Sequence, residues 1–145
     1  EHFDWVHAVD RFKIAQRLSS ARGETRPPLQ VCIQVNISGE TTKSGIAPHE
    51  LIPLARSVAA LPHLRLRGLM AIPRPVEEQD AQRAQFRALA QLRDELAASG
   101  ILTDTLSMGM TDDLEAAIME GATMVRVGRA IFGERLRAQP PLHDR

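Results

Sequence analysis

The chain has 145 residues, and its 18 basic and 18 acidic side chains give a formal net charge of zero. This length fits one domain with a core of its own, and the neutral balance argues against a protein that binds nucleic acid or an anionic membrane surface. A single cysteine, Cys32, excludes a disulfide framework, and the lack of a signal peptide and of an apolar run of roughly 18 residues predicts a cytoplasmic protein with no membrane partner.

Strands and helices alternate along the sequence. Strands are predicted over residues 5–9, 29–37, 64–72, 105–108 and 124–128, and helices over roughly 11–22, 48–61, 77–98 and 111–120, with another helical turn from 129. The second strand is marked by β-branched residues at alternate positions. Asp10 is expected to cap the first helix, Pro48 to occupy the first turn of the second, and Gly100 to end the third.

This alternation of βα units predicts a parallel sheet with helices packed outside it. Two architectures fit: an open doubly wound sheet and part of a (β/α)8 barrel. A complete barrel needs at least about 200 residues, so the five predicted units would form an incomplete barrel rather than a closed one. In both architectures ligands bind at the carboxyl ends of the strands, so the turns at those ends are the first candidates for a site.

The turn after the fourth predicted strand carries a hydroxyl and a glycine. Ser107 ends the strand, Gly109 allows the backbone to approach a ligand closely, and the helix start that follows offers free N–H groups. This arrangement fits a small phosphate-binding turn. An ordinary capped βα turn is the alternative interpretation.

The turn after the fifth predicted strand repeats this pattern. Arg126 lies in the strand, and Gly128 precedes the next helical turn. A buried arginine needs a partner, so Arg126 either serves a ligand or forms a structural ion pair. Because the loops after the last two strands of a barrel often bind a phosphate, the two turns together favour a phosphate site more than either does alone.

The remaining candidates for chemistry are weaker. The five histidines are not spaced as metal ligands, and His7 is interpreted as a core or rim residue of the first strand. Cys32 lies in the middle of a strand, where a buried structural thiol is more frequent than a nucleophile. The sequence therefore predicts no metal site.

Two long motifs resemble the YggS/PROSC family of pyridoxal-phosphate homeostasis proteins. They are residues 107–118 (SMGMTDDLEAAI) and 124–133 (MVRVGRAIFG), and shorter segments at 35–38, 43–45 and 68–72 fit the same family. The resemblance spans residues 3–135. It implies an α/β fold, a parallel (β/α) barrel of the alanine racemase N-terminal domain type, present here as an incomplete barrel of five βα units. The implied cofactor is pyridoxal 5′-phosphate (PLP).

The resemblance also implies roles for particular residues. Ser107 and the backbone around Gly109 would hold the cofactor phosphate, Gly128 and Arg129 would donate backbone N–H groups to it, and Arg126 would face the pyridine nitrogen. An arginine there keeps that nitrogen unprotonated and weakens the ring as an electron sink. The complete implied set of cofactor-binding residues is Ser107, Met108, Gly109, Arg126, Gly128, Arg129, Asn36 and Met70.

Two features depart from the family pattern. The family holds PLP covalently on a lysine at the end of the first barrel strand, whereas this chain has only Lys13 and Lys43, and neither matches that lysine. Arg129 occupies a position that is often small in the family. The chain, residues 1–145, is therefore expected to be the C-terminal part of a single PLP-binding barrel domain, with residues 136–145 as a flexible tail. Its open strand edges predict self-association.

The function implied by the family is intracellular PLP homeostasis: binding, storage or delivery of PLP, influence on amino- and keto-acid pools, and no robust catalytic activity. The parent protein is expected to be a monomer. Two alternatives stay open. One is a fragment of a racemase-like PLP enzyme, for which the absence of tyrosine removes the usual base. The other is a fragment that retains no ligand.

Overall fold

Residues 2–133 are described by the structure, a computed structural model of the chain. The predicted tail at residues 136–145 lies outside the described residues. The elements in chain order are β1 (Trp5–Val9), α1 (Phe12–Arg22), β2 (Leu29–Gln34), α2 (Leu51–Ala59), β3 (Leu64–Met70), α3 (Gln79–Ala98), β4 (Thr105–Ser107), α4 (Leu114–Met119) and α5 (Arg129–Phe132). No helix in this part of the chain has the length and apolar character needed to cross a membrane.

The four strands form one parallel sheet in the order β1-β2-β3-β4. Most residues of β2 are buried, as expected for a strand inside a parallel sheet that is covered on both faces. A helix connects each strand to the next, because parallel neighbours need a crossover connection. The predicted α/β class and the incomplete (β/α) barrel are confirmed.

The sheet is strongly curved. Neighbouring strands lie about 4.8 Å apart, so β1 and β4 would be separated by about 14 Å if the sheet were flat. Instead, the His7 side chain of β1 reaches the Ser107 side chain of β4, with 2.8 Å between Nδ1 and Oγ. This curvature is that of a barrel wall, and it creates a concave face to which both edge strands contribute side chains.

A glycine permits the close approach of β3 to β4. Gly68 pairs with Thr105, and a Cβ atom added to Gly68 would lie 1.8 Å from the Thr105 carbonyl oxygen. Relative to β2, strand β3 has one extra residue just before Gly68, and such a bulge bends a strand. Any larger side chain at this position therefore requires one of the two strands to move.

The prediction of a fifth strand is wrong. Residues 124–128 make a single bridge to β4, between Met124 and Ser107, and the ladder goes no further. The cause is the backbone of Gly109, whose φ of 93° turns the chain out of the strand direction. The N–H of Arg126 consequently donates to the Gly109 carbonyl instead of continuing a parallel ladder.

Some helices begin or end where the sequence predicts, and others do not. Asp10 does not cap α1, because its carboxylate pairs with the guanidinium of Arg11. Helix α4 begins at Leu114 rather than at residue 111. Pro48 opens a 3-10 turn just before α2, and Gly100 follows α3 with a φ of 94°, so both residues take their predicted places.

Helix α3 anchors the helical layer. Phe86 and Leu89 are fully buried in the core cluster that joins this helix to the sheet. Glu120, just after α4, accepts hydrogen bonds from Arg83 and Arg87 of α3. These contacts hold α4 against α3, and they thereby fix the position of the turn between β4 and α4.

Candidate functional site

Three side chains meet on the concave face of the sheet at the carboxyl end of β4. Ser107, the last residue of β4, is fully buried, and its Oγ accepts a hydrogen bond from Arg126 at 2.7 Å. His7 of β1 approaches the same oxygen through Nδ1 at 2.8 Å. This Ser107 cluster (His7, Ser107 and Arg126) therefore joins the two edge strands and the segment that follows β4.

Arg126 is a partly buried cation whose hydrogen-bond partners among residues 2–133 are neutral. Besides Ser107, it donates to the Ala71 carbonyl, 3.0 Å away and just beyond the end of β3. Burial lowers the pKa of the guanidinium, and the Asp113 carboxylate partly opposes that lowering. The group stays charged because an arginine pKa is so high. In this part of the chain Arg126 does not form the structural ion pair considered from the sequence, and it leaves a positive charge that an anion can neutralise.

Two turns border the Ser107 cluster, and three contacts tie them together. One turn is residues 108–112, after β4, and the other is residues 126–130. The Arg126 N–H donates to the Gly109 carbonyl at 3.0 Å, and the Ala130 N–H donates to Oγ1 of Thr111 at 3.3 Å. The side chains of Arg129 and Asp112 form an ion pair between the same two turns. The two glycine-containing turns that follow consecutive strands in the sequence prediction therefore lie side by side in the structure.

Several backbone N–H groups at these turns, among them those of Gly109 and Gly128, have no acceptor within residues 2–133. A Cβ atom placed on Gly128 would have no atom within 4 Å, so open space borders this residue. Together with the Ser107 hydroxyl and the Arg126 guanidinium, these groups form the kind of donor set that holds a phosphate. The residues present therefore fit a phosphate-bearing group.

Three further residues to which the resemblance assigns cofactor binding, Met70, Met108 and Asn36, lie outside the Ser107 cluster. Met70 is buried and pairs directly with Ser107 across β3 and β4. Met108 is fully buried in the hydrophobic core. The Asn36 side chain is engaged in its own loop, where it donates to the Glu40 carbonyl at 2.7 Å and accepts the Gly39 N–H at 3.1 Å. Asn36 thus shapes the β2–α2 loop in this structure.

The sequence alone did not show whether the side chains of Arg129 and Lys43 contact the cofactor. In the structure both side chains have partners outside the Ser107 cluster. The half-exposed Arg129 side chain pairs with Asp112, so its charge is compensated within the two turns. Lys43 donates to the Pro73 carbonyl at 3.0 Å and pairs with Glu40 at 3.0 Å. Its ammonium group therefore joins the β2–α2 loop to the segment after β3.

His7 is the member of the cluster that the sequence did not single out as a ligand residue. Burial lowers the pKa of its imidazole, and the positive charge of Arg126 lowers it further, so the ring is neutral near pH 7. The sequence feature that bears on the position of His7 is the alternation of side chains along a strand, which places His7 on the same face of β1 as Trp5. Across residues 2–133, no three His, Cys, Asp or Glu side chains gather closely enough to hold a metal ion.

Cys32 should be unreactive in the folded protein. The thiol is fully buried in β2, and burial raises its pKa to about 12. Because the thiolate is the nucleophile, we expect negligible labelling by a disulfide reagent near neutral pH and rapid labelling after unfolding in urea. The measurement is the rate of thiol labelling with and without denaturant. Equal rates in the two conditions would contradict a buried structural thiol.

The sequence of the chain matches one protein-family model and several curated proteins. The family model described as alanine racemase, N-terminal domain, matches residues 1–136. The pyridoxal phosphate homeostasis protein of Pseudomonas aeruginosa is 62% identical over 135 residues, which cover 93% of this chain and 57% of the relative. The chain thus spans little more than half the length of the curated relatives it matches.

Solved structures share this fold. The structure of PipY from Synechococcus elongatus, determined with PLP bound, matches with a TM-score of 0.79 and 34% identity, covering 91% of this chain and 62% of PipY. Alanine racemase from Clostridium difficile matches with a TM-score of 0.68 and 19% identity, covering 90% of this chain and 34% of the racemase. At that identity, the likeness to the racemase shows the fold alone.

Proposed function

The chain belongs to the family of the alanine racemase N-terminal domain, and from this membership and the Ser107 cluster we propose that it binds the phosphate of PLP. The resemblance to pyridoxal-phosphate homeostasis proteins is confirmed by the 62% identity to the P. aeruginosa protein. The proposed phosphate ligands are Ser107 and the N–H groups of Gly109 and Gly128, and Arg126 is proposed to face the pyridine nitrogen and to supply the positive charge that attracts the anionic cofactor. For the whole protein, the proposed function is intracellular PLP homeostasis.

The observation that carries this proposal is the partly buried charge of Arg126. Its guanidinium donates to Ser107 and to the Ala71 carbonyl, which are both neutral. Removing a cation from water without an opposite charge is unfavourable, so the arrangement gains stability when an anion enters. A phosphate also supplies acceptors for the N–H groups of Gly109 and Gly128. PLP carries such a phosphate, and PLP is the molecule bound in the PipY structure.

Within this chain the proposed binding is non-covalent. Lys43 is engaged with Glu40 and the Pro73 carbonyl, and Lys13 is an exposed residue of α1. Neither ammonium group contacts the Ser107 cluster in the structure. A covalent anchor would therefore come from a lysine outside the chain, whereas the phosphate donors are local to β4 and the two turns beyond it.

We further propose that the protein has no robust catalytic activity of its own. Bound PLP supplies an aldehyde and an electron-withdrawing ring. Arg126 keeps its protons, so it would not protonate a pyridine nitrogen that faces it. Tyrosine is absent from the sequence, which removes one common type of base from this chain. Both features favour a role in binding and delivery of PLP over catalysis.

Ser107→Ala should weaken PLP binding while leaving the fold intact. The variant removes a hydroxyl that already accepts from Arg126 and that we expect to contact the phosphate. A hydrogen bond to a charged group is worth about 1.5–3 kcal/mol, so we expect about a tenfold or greater loss of affinity. The measurement is a PLP titration followed by absorbance, with inorganic phosphate as competitor.

A matched control is Ser57→Ala on α2, where the hydroxyl bonds the Pro53 carbonyl on an exposed surface. This control should bind PLP as the unmodified protein does. Equal affinities in Ser107→Ala and in the control would place the phosphate elsewhere. Binding of PLP that inorganic phosphate fails to compete would argue against a phosphate site at the Ser107 cluster.

A further inference from the structure

The hydrogen-bond capacity of Ser107 limits what the Ser107 cluster can do. A serine hydroxyl has one proton to donate and can accept two hydrogen bonds. One acceptor position is filled by Arg126, which can only donate. The direction of the remaining hydrogen bond therefore depends on His7, whose Nδ1 lies 2.8 Å from the same oxygen.

Two proton arrangements are compatible with this contact. If Nδ1 carries no proton, the Ser107 hydroxyl must donate to it, and the hydroxyl proton is then unavailable to a ligand. If Nδ1 carries a proton, either in the neutral Nδ1–H tautomer or in the imidazolium ion, the imidazole donates to Ser107, and the hydroxyl proton becomes free to point elsewhere. The imidazolium ion is the form that the negative charge of a bound phosphate dianion favours. A phosphate dianion has acceptors and no proton to give, so it requires the second arrangement.

We propose that His7 is a positioning residue: a proton on its Nδ1 turns the Ser107 hydroxyl toward the bound phosphate, and binding of the phosphate takes up a proton at His7. This inference rests on the proposed phosphate site and adds a regulation to it. His7 reaches the phosphate through Ser107. The protonated imidazole also adds a positive charge beside Arg126, which further favours a dianion.

The surroundings of His7 support a ring that is neutral without ligand. The titratable or charged side chains around the cluster are Arg126 after β4, Cys32 on β2, Arg67 on β3 with its ion-pair partner Asp104 before β4, and Asp113 before α4. Asp10 after β1 is already paired with Arg11. Burial and Arg126 lower the pKa of His7 in the free protein, and the raised pKa of Cys32 keeps the thiol uncharged. An incoming dianion opposes the effect of Arg126 and should raise the pKa of His7.

The test compares the pH dependence of anion binding in the unmodified protein and in His7→Asn. The asparagine amide can donate from a position close to that of Nδ1, and it does not titrate. From about pH 8 to about pH 5, the affinity of the unmodified protein for PLP should rise about tenfold more than that of His7→Asn, which corresponds to a pKa increase of about one unit on binding. Ionisation of the PLP phosphate affects both proteins equally. Inorganic sulfate, which keeps its charge over this range, is the second probe.

If His7→Asn does not fold, the protonation of His7 can be measured directly in the unmodified protein. Nitrogen NMR of the His7 imidazole in the unmodified protein should show a proton on Nδ1 and a higher pKa after PLP is added. Binding of PLP with an unchanged His7 pKa, or equal pH dependence in the two proteins, would overturn the inference and leave the proposed function standing. Absence of PLP binding at every pH would overturn the proposed function, and the inference with it.

Discussion

Replacing Gly68 with alanine should strongly destabilise the protein. The added Cβ would lie 1.8 Å from the Thr105 carbonyl oxygen, and both atoms belong to paired strands of the sheet. Neither partner is the mobile end of a side chain, so relief of the clash requires β3 and β4 to separate. We expect a loss of about 3 kcal/mol or more in the free energy of unfolding. Urea unfolding followed by circular dichroism measures this loss.

Gly128→Ala is the matched control for stability. Gly128 has an ordinary φ of −120°, and a Cβ atom there would meet no atom within 4 Å. The same chemical change should therefore alter the free energy of unfolding by less than about 1 kcal/mol. If Gly68→Ala and Gly128→Ala had equal free energies of unfolding, the result would contradict the close approach of β3 to β4 at Gly68.

The contact at Gly68 also shows what sequence patterns reveal about this fold. The sequence predicts β1 with its observed bounds, and helix α3 is predicted within two residues of its observed start. The predicted fifth strand fails because a single backbone angle, φ at Gly109, ends the ladder. The role of Gly68 is equally hidden, because it depends on the distance between two strands rather than on the residues of one.

Arg126→Met should weaken PLP binding more strongly than any other single substitution in the Ser107 cluster. The methionine keeps an unbranched stem but removes the charge and the donors to Ser107 and to the Ala71 carbonyl. In the proposed site, Arg126 supplies the positive charge that attracts the anionic cofactor and the donors that face the pyridine nitrogen. Loss of a charge-assisted interaction of this kind is worth about 2–3 kcal/mol, so we expect at least about a thirtyfold loss of affinity. The absorbance spectrum of any remaining bound PLP should also change, because Arg126 is proposed to face the pyridine nitrogen. A PLP titration measures both effects.

Arg93→Met is the control for this substitution. Arg93 lies on α3 and pairs with its neighbour Asp94. This variant should bind PLP as the unmodified protein does. Unchanged affinity and unchanged spectrum in Arg126→Met would remove both roles assigned to Arg126. Because loss of its hydrogen bonds also lowers stability by about 1–2 kcal/mol, binding should be measured well below the unfolding temperature.

Sequence reasoning reached one part of the site and missed another. Ser107 and Arg126 lie in motifs that resemble a known family, and their two turns follow consecutive predicted strands. His7 could not be predicted in the same way, because its contact with Ser107 requires a curved sheet that brings β1 to β4. The ion pair between Arg129 and Asp112 was hidden for a similar reason, since it depends on how the two turns face each other.

The contact between His7 and Ser107 spans 100 positions of the chain, and this separation ties ligand binding to the completion of folding. The hydroxyl that the imidazole meets comes from β4, the last strand of the sheet along the chain. Contacts between residues so distant in the sequence are typical of slowly folding proteins. A ligand that binds this contact stabilises the finished fold alone. If the proposed function holds, a chain in which this contact has not formed would not take up the ligand.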